Sequence, residues 1–203
     1  MMKLPPIIVE VFKIKKFTIS MIVIISVLLF GLLGPLFYPE DPLKMRYSPE
    51  QPPNPENPLG TDSYGRDVLA QIIYGTRSSI YIGVVAALIS LAIGVTIGTV
   101  AGMKGGLIDE VLMAITNIVL AMPSILLMML IAAYFKYRDP ILVSLIIGIT
   151  SWPWVARAVR AQILSLKSRE FIYLSKMAGL SDFRIAIEDI LPNMAAYLFM
   201  AFV

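Results

Sequence analysis

Asp109 and Glu110 stand side by side at the head of an uncharged apolar run, and Asn117 lies inside it. Two carboxylates and an amide are residue types that acid–base chemistry within a membrane would use. Neighbouring helical positions face different directions, however, so the two carboxylates do not converge on one reacting atom. The 203 residues include no Cys and no His, which removes the common zinc ligands, thiol nucleophiles, disulfides and the usual base at neutral pH. No GxxxxGK string followed by Ser or Thr occurs, and no GxSxG string, so the chain has neither a nucleotide cradle nor a nucleophile elbow of its own. No catalytic residue, metal or cofactor is therefore expected, and any energy source must lie on a partner.

Two other groupings suit contact better than catalysis. Phe171, Leu174, Ser175 and Ala178 fall at i, i+3, i+4 and i+7, the spacing of a short amphipathic helix, and Gly179 marks its end. Ser181 is placed to cap a second helix through Ile190, stopped by Pro192. Such a helix could dock in a cleft of a soluble partner and pass rigid-body motion on, or it could rest on lipid headgroups. A DNA-reading helix-turn-helix is argued against by apolar runs on both sides. The second grouping follows seven prolines, at 39, 42, 49, 52, 53, 55 and 58, which make Pro39 to Pro58 extended and non-helical. Thr61, Asp62 and Ser63 then form a cap cluster, and Val68, Leu69, Ile72 and Ile73 predict a short amphipathic helix ending at Gly75. Asp62 and Arg66 stand at i, i+4, where a surface pair is worth only ~0.3–0.5 kcal/mol.

The elements that must carry these groups are apolar. Hydrophobic residues make up 58% of the chain and charged ones 15%, against about 45–50% and about 25% in soluble domains. A run of about 20 apolar residues crosses a hydrocarbon core ~30 Å thick at ~1.5 Å per residue. Phe17 to Phe37 is such a run, preceded by Lys13, Lys15 and Lys16; its length and its bulky end mark an anchor instead of a cleaved signal. Ser78 to Ala101 is the second, and Ser90, Gly94, Gly98 and Gly102 recur in it at intervals of four, which leaves one face nearly bare backbone for close helix packing unless the spacing is accidental. A turn at Met103–Gly106 leads to the third, Val111 to Phe135, where Asn117 needs a partner and Pro123 bends the helix. The fourth, Ile141 to Ala156, is short and is expected to continue past Arg157, with Gly148 and Trp152–Trp154 predicting a bend near an interface.

Lys and Arg then divide unevenly. Residues 3, 13, 15, 16, 104, 157, 160, 167, 169, 176 and 184 lie on one side, and residues 44, 46, 66, 77, 136 and 138 on the other. The excess predicts a cytoplasmic N-terminal tail over 1–16, a first membrane helix over 17–37, an outer loop over 38–77 and a membrane core over 78–203 whose segment 157–193 is cytoplasmic. The net charge of +3 fits this asymmetry and does not call for nucleic acid.

Three separated motifs resemble the permease subunits of ABC importers, specifically the C-type subunit of the dipeptide, oligopeptide and nickel branch. Asn57-Pro58-Leu59-Gly60-Thr61-Asp62-Ser63-Tyr64-Gly65-Arg66-Asp67-Val68-Leu69, followed by Tyr74-Gly75-Thr76-Arg77-Ser78-Ser79, is similar to that branch's external loop signature. Ala101-Gly102-Met103-Lys104-Gly105-Gly106 with Asp109, and Ala121-Met122-Pro123-Ser124, resemble its glycine turn and the bend after it. Ser165 to Phe171, Gly179 and Leu191-Pro192-Asn193 resemble the loop by which such permeases grip their ATPase, although Tyr173-Leu174-Ser175 stands where the family has Glu-Ala-Ala and Asp189 where it often has His.

The resemblance implies an all-α, polytopic membrane protein of the type I importer permease fold, with four complete spans and the start of a fifth where six are usual. It is expected to be a multi-pass protein of a prokaryotic plasma membrane. It further implies coupling residues Glu170, Phe171, Tyr173, Leu174, Ser175, Gly179 and Pro192. Gly60, Thr61, Asp62, Gly65, Arg66 and Asp67 would be an external motif that shapes a gate, docks a binding protein or simply packs its loop. The implied partners are a second permease subunit, two cytoplasmic ATPases, an external solute-binding protein and the bilayer, with no nucleic acid. The cargo would be peptides, nickel chelates or oligosaccharides. The short tail after Met194 predicts a truncated copy that does not support transport alone, with a remnant or a structural scaffold as the alternative.

Overall fold

The computed structural model describes residues 14–134 and 139–202, all helix, turn and loop apart from one isolated bridge between Thr61 and Asp67. The predicted tail over 1–16 lies mostly outside the described residues, as do Phe135, Lys136 and Arg138. Contacts divide the chain into two units, Met1–Tyr81 and Ile82–Val203.

The first unit contains α1, Lys15–Phe37, followed by the proline-rich loop and the opening turns of α2, Val68–Lys104. The expected short amphipathic helix is not a separate element. Gly75 has no neighbour within reach of an added Cβ and does not interrupt the backbone, so the helix runs on for 37 residues, about 55 Å. The cap also differs from the expected cluster: Asp67, just before Val68, accepts the Ala70 N–H at 2.7 Å. Gly31 and Gly34 of α1 lie so close to Thr76, Ile80 and Ile73 of α2 that a Cβ at either would sit under 3.0 Å from them.

In the second unit α2 ends at Lys104, and Gly105 and Gly106, with φ of +66° and +54°, turn the chain into α3, Gly106–Ala121. The third apolar run is broken, because Pro123 holds Met122 extended at φ −80°, ψ 132°, and α4, Ser124–Tyr134, starts afresh. The fourth run forms α5, Pro140–Lys167, whose 28 residues pass through Pro153 and extend well beyond Arg157. Trp152 and Pro153 are buried in protein, so only Trp154 is left exposed.

The ladder on α2 packs against α5. A Cβ on Gly94 would lie 2.5 Å from Val155 Cβ, one on Gly98 2.5 Å from the Ala156 carbonyl oxygen, and one on Gly102 2.8 Å from Ile163 Cγ2; Ser90 is buried. Gly148 of α5 returns the relation, with Ile89 Cβ at 2.7 Å. Lipid offers no hydrophobic drive for helix association, so this closeness supplies the dispersion contacts that hold the pair.

Beyond α5 come α6, Glu170–Met177, and α7, Asp182–Arg184, then a π-helical turn over Ile185–Ile190, α8, Leu191–Asn193, and α9, Ala195–Phe202. Pro192 does not stop the second short helix as expected. An α-helical Pro192 would press its ring on the Glu188 carbonyl, and the wider π turn immediately before it changes that register. The break comes instead at Met194.

Among the described residues, α1, α2 and α5 are long and apolar enough to cross a membrane. A fourth candidate arises if Asp182–Asn193 and Ala195–Phe202, bent by 68°, count as one. The chain is thus an all-α polytopic membrane protein.

Gly98→Ala is expected to lower stability by about 1–3 kcal/mol through overpacking against Ala156 and Val159. Gly83→Ala, where nothing lies within 4 Å, should be neutral or raise it by about 0.5–1 kcal/mol. Thermal unfolding in detergent followed by circular dichroism distinguishes the two; equal effects would refute the close packing.

Candidate functional site

Two regions present built surfaces, one in each unit. In the first unit the loop before α2 is held by Asp62. Its carboxylate accepts the backbone N–H of Tyr64 at 2.8 Å and of Arg66 at 3.0 Å, and the Arg66 guanidinium at 2.6 and 2.7 Å; Gln71 Nε2 adds a bond at 3.1 Å. Desolvation pushes this carboxyl up, but the Arg66 N–H, the Arg66 side chain and the other donors outweigh it and hold it well below the usual carboxylate range. The sequence spacing showed only an i, i+4 pair; the structure makes Asp62 the centre of a turn. Arg66 also lies over the Tyr64 ring, 4.9 Å from its centroid.

The motif's glycines are there for backbone reasons. Gly60 and Gly65 have φ of +75° and +73°, and a Cβ on them would collide with the carbonyl oxygens of Gln51 and Tyr47. Thr61 Oγ1 donates to the Ser48 carbonyl at 2.7 Å and accepts from the Gln51 N–H at 2.9 Å, tying the proline-rich strand to the motif. Asp67 is 1% exposed, and its second oxygen accepts the Tyr38 hydroxyl at 2.9 Å. Sequence reasoning missed Tyr38, which lies 29 residues away with no local pattern to link it to Asp67. Burial, then the bond to Asp67, pushes the Tyr38 phenol up to about 12.

In the second unit α6 is fixed from beneath. Ile172 is fully buried in a cluster with Met103 of α2, Val159 and Ile163 of α5, and Ile185, Ala186, Ile190 and Met194. Ser175 is half-buried on the same side. The expected stripe therefore lies largely on the opposite side: Phe171, Leu174 and Ala178 face out, with Tyr173 and Met177, and Leu174 and Met177 are 66% and 86% exposed. Periodicity located a stripe but could not say which side the protein would cover.

Gly179, with φ +80°, ends α6: its N–H donates to the Lys176 carbonyl at 3.0 Å and the Leu180 N–H to Ser175 at 3.2 Å. Glu170 opens the helix, where an acidic side chain suits the N-terminal dipole. Pro192 stands apart from this face, in α8.

Basic residues on α5 brace this unit. Arg157 donates to Asn117 Oδ1 at 2.6 Å, Arg160 grips Asp109 with two nitrogens, and Lys167 Nζ donates to the Met103 carbonyl at 2.7 Å. The residues that an enzyme would use, Asp109 and Asn117, are thereby engaged separately with α5. Among the described residues no group of His, Cys, Asp or Glu could hold a metal ion.

Comparison with known proteins adds three findings. Residues 94–203 match the family described as binding-protein-dependent transport system inner membrane component. The chain is 35% identical over 177 residues to the dipeptide transport system permease protein DppC of Bacillus subtilis, covering 86% of this chain and 54% of that protein. It is 34% identical over 176 residues to the oligopeptide transport system permease protein OppC of the same organism, with 86% and 57% covered, and 36% identical over 189 residues to the DppC of Haemophilus influenzae, with 89% and 63% covered. The chain thus spans 54 to 63% of the length of these relatives.

A group whose folded pKa is raised contributes stability that is fully present below its unfolded value, here about 10, and lost as pH rises toward its folded one. The native chain should therefore lose thermal stability between about pH 10 and 12 more steeply than Tyr38→Phe, which should be less stable at neutral pH because Asp67 loses a donor. Parallel melting curves for the two across that range would show that the Tyr38–Asp67 bond does not matter.

Proposed function

The chain belongs to the inner membrane components of binding-protein-dependent transport systems, and from this membership we propose that it acts as one permease subunit of an ATP-driven importer of peptides. Its place would be as half of a pore formed with a second permease, served by two cytoplasmic ATPases and an external solute-binding protein. The observation that carries the reading is the outward apolar face of α6, Phe171, Leu174 and Met177, on a helix whose other side is locked in the core by Ile172. A helix so mounted transmits force. A push on Leu174 reaches Ile172 across one helix diameter, then Val159 and Ile163 of α5, and α5 is in near-backbone contact with α2 at Gly98 and Gly102. Packed interfaces of this kind shift as rigid bodies, which alternating access requires.

Orientation follows from the Lys and Arg asymmetry, which supports a cytoplasmic N-terminus and a cytoplasmic α6. Glu170, Phe171, Tyr173, Leu174, Ser175 and Gly179 are then the coupling residues, with Pro192 shaping the helical turn that follows. The motif from Gly60 to Asp67 is the external surface, kept rigid by Asp62 and the two left-handed glycines and so suited to present a fixed face to a binding protein. The named cargoes of the relatives, dipeptides and oligopeptides, make peptides the cargo class to test first.

Leu174→Glu, made in the assembled transporter, is expected to abolish co-purification of the ATPase while leaving helicity and melting unchanged, because the side chain is outside the core. Ile172→Ala should instead lower stability by about 2–5 kcal/mol. ATPase retained in full by the Leu174→Glu protein would overturn the coupling assignment.

A further inference from the structure

Arg157 is held unlike the other basic residues that α5 directs at its neighbours. Arg160, one turn on, grips the Asp109 carboxylate with two nitrogens, and Lys167 donates to a carbonyl at the end of α2. Arg157 gives one nitrogen, Nη2, to Asn117 Oδ1 at 2.6 Å, and that amide is neutral. Among the described residues no carboxylate lies within ion-pair distance of Arg157, so its charge is oriented but not neutralised. Both side chains are exposed at the helix surface.

Two measures fix the depth of this pair. The Ala156 carbonyl and Val159 press on Gly98 of α2, and Val155 presses on Gly94. Arg157 therefore stands level with residues six to ten positions before Lys104, the end of α2, which is about 9–15 Å along the axis. On α3, Asn117 is eleven residues beyond Gly106, about 16.5 Å from the same turn. The guanidinium that reaches Asn117 is thus near the middle of a hydrocarbon core ~30 Å thick, away from the phosphates at its surface. An unneutralised cation at that depth is costly against lipid, so it belongs on a water-filled path and calls for an anion.

We propose that Arg157 and Asn117 form an intramembrane site that receives the C-terminal carboxylate of a peptide in passage. Asn117 spends its oxygen on Arg157 and keeps its Nδ2 donors, and the guanidinium keeps further N–H groups. Toward a third group the pair is donor-only, which suits a carboxylate. Every free peptide ends in a carboxylate whatever its sequence, so one such site serves cargoes with many different side chains. Asp109 shows what a lasting partner does to an arginine on this helix: it takes two nitrogens. A single bond to a neutral amide instead holds Arg157 in place without spending its charge, which suits a ligand that must bind and leave. Trp154, three residues before Arg157 and so on the same side of α5, is 69% exposed and offers its ring to the last side chain of the peptide. The proposal rests on the reading of the chain as a permease for peptides.

Tryptophan fluorescence of the full chain in lipid nanodiscs tests it, because Trp152 is buried and Trp154 is the tryptophan that an adjacent ligand can reach. Titration with dialanine and with its C-terminal amide should show the free acid bound about tenfold more tightly, the margin of a charge-assisted hydrogen bond. Arg157→Gln should reduce the two to equal, weak binding. Asn117→Asp keeps the guanidinium but supplies a lasting carboxylate, as Asp109 does for Arg160. It should remove binding of the acid without lowering the melting temperature, and it carries the test if Arg157→Gln misfolds. Equal affinity of the native chain for acid and amide overturns the proposal, as does undiminished binding by Asn117→Asp. Loss of the preference in the assembled transporter, measured by equilibrium dialysis without the solute-binding protein, would give Arg157 to a carboxylate of another subunit and overturn it too. These results leave the importer reading untouched, since its coupling assignment is tested separately by ATPase retention in Leu174→Glu.

Discussion

Everything in the second unit depends on how near α5 can come to α2. Gly94, Gly98 and Gly102 on one helix and Gly148 on the other replace side chains with backbone along the crossing, and their neighbours already lie at the limit of contact. In water such a seam would be a modest addition to hydrophobic burial. In lipid, where the surroundings are as apolar as the side chains, contact at this range is the main source of association energy, and one methyl group on the seam is enough to disturb it.

The seam also explains the mounting of α6. Met103 at the end of α2 and Val159 and Ile163 on α5 form one continuous apolar floor because the two helices are held together there. Ile172, Ile185 and Ile190 rest on that floor. An eight-residue helix has too few internal hydrogen bonds to be stable alone, so its order comes from this burial and from the glycine turn that closes it. The outward face is then free to be apolar without collapsing back, since the inward face already occupies the space.

How much of this could be read beforehand depended on whether the signal was local. The apolar runs, the four-residue ladder, the turn at Gly105, the break at Pro123 and the end at Gly179 are each encoded within a few residues, and the structure has elements or turns at those places. Gly75 is an instance where a local signal misled: a glycine in a helix costs only about 1 kcal/mol, which the apolar run after it outweighs. The Thr61–Ser63 cluster has the residue types of a cap, but Thr61 and Asp62 are spent on the loop and Asp67 does the capping. Tyr38 with Asp67, Arg157 with Asn117 and Arg160 with Asp109 were out of reach, because each joins residues 29 to 51 positions apart and leaves no periodic trace.

Those long-range pairs change what the basic residues of α5 mean. Arg157, Arg160 and Lys167 contribute to the charge asymmetry that marks a cytoplasmic segment, yet all three project from a helix and are engaged with an amide, a carboxylate and a carbonyl. A charge near the end of a membrane helix is costly unless it is paired or reaches water, and pairing with α3 and with the end of α2 removes much of that cost. The same bonds fasten α3 to α5 while Pro123 frees α4 from α3. Helix α3 therefore belongs structurally with α5, and α4 packs against α5 as well, so the break at Met122–Pro123 redirects the chain between two helices that share one support.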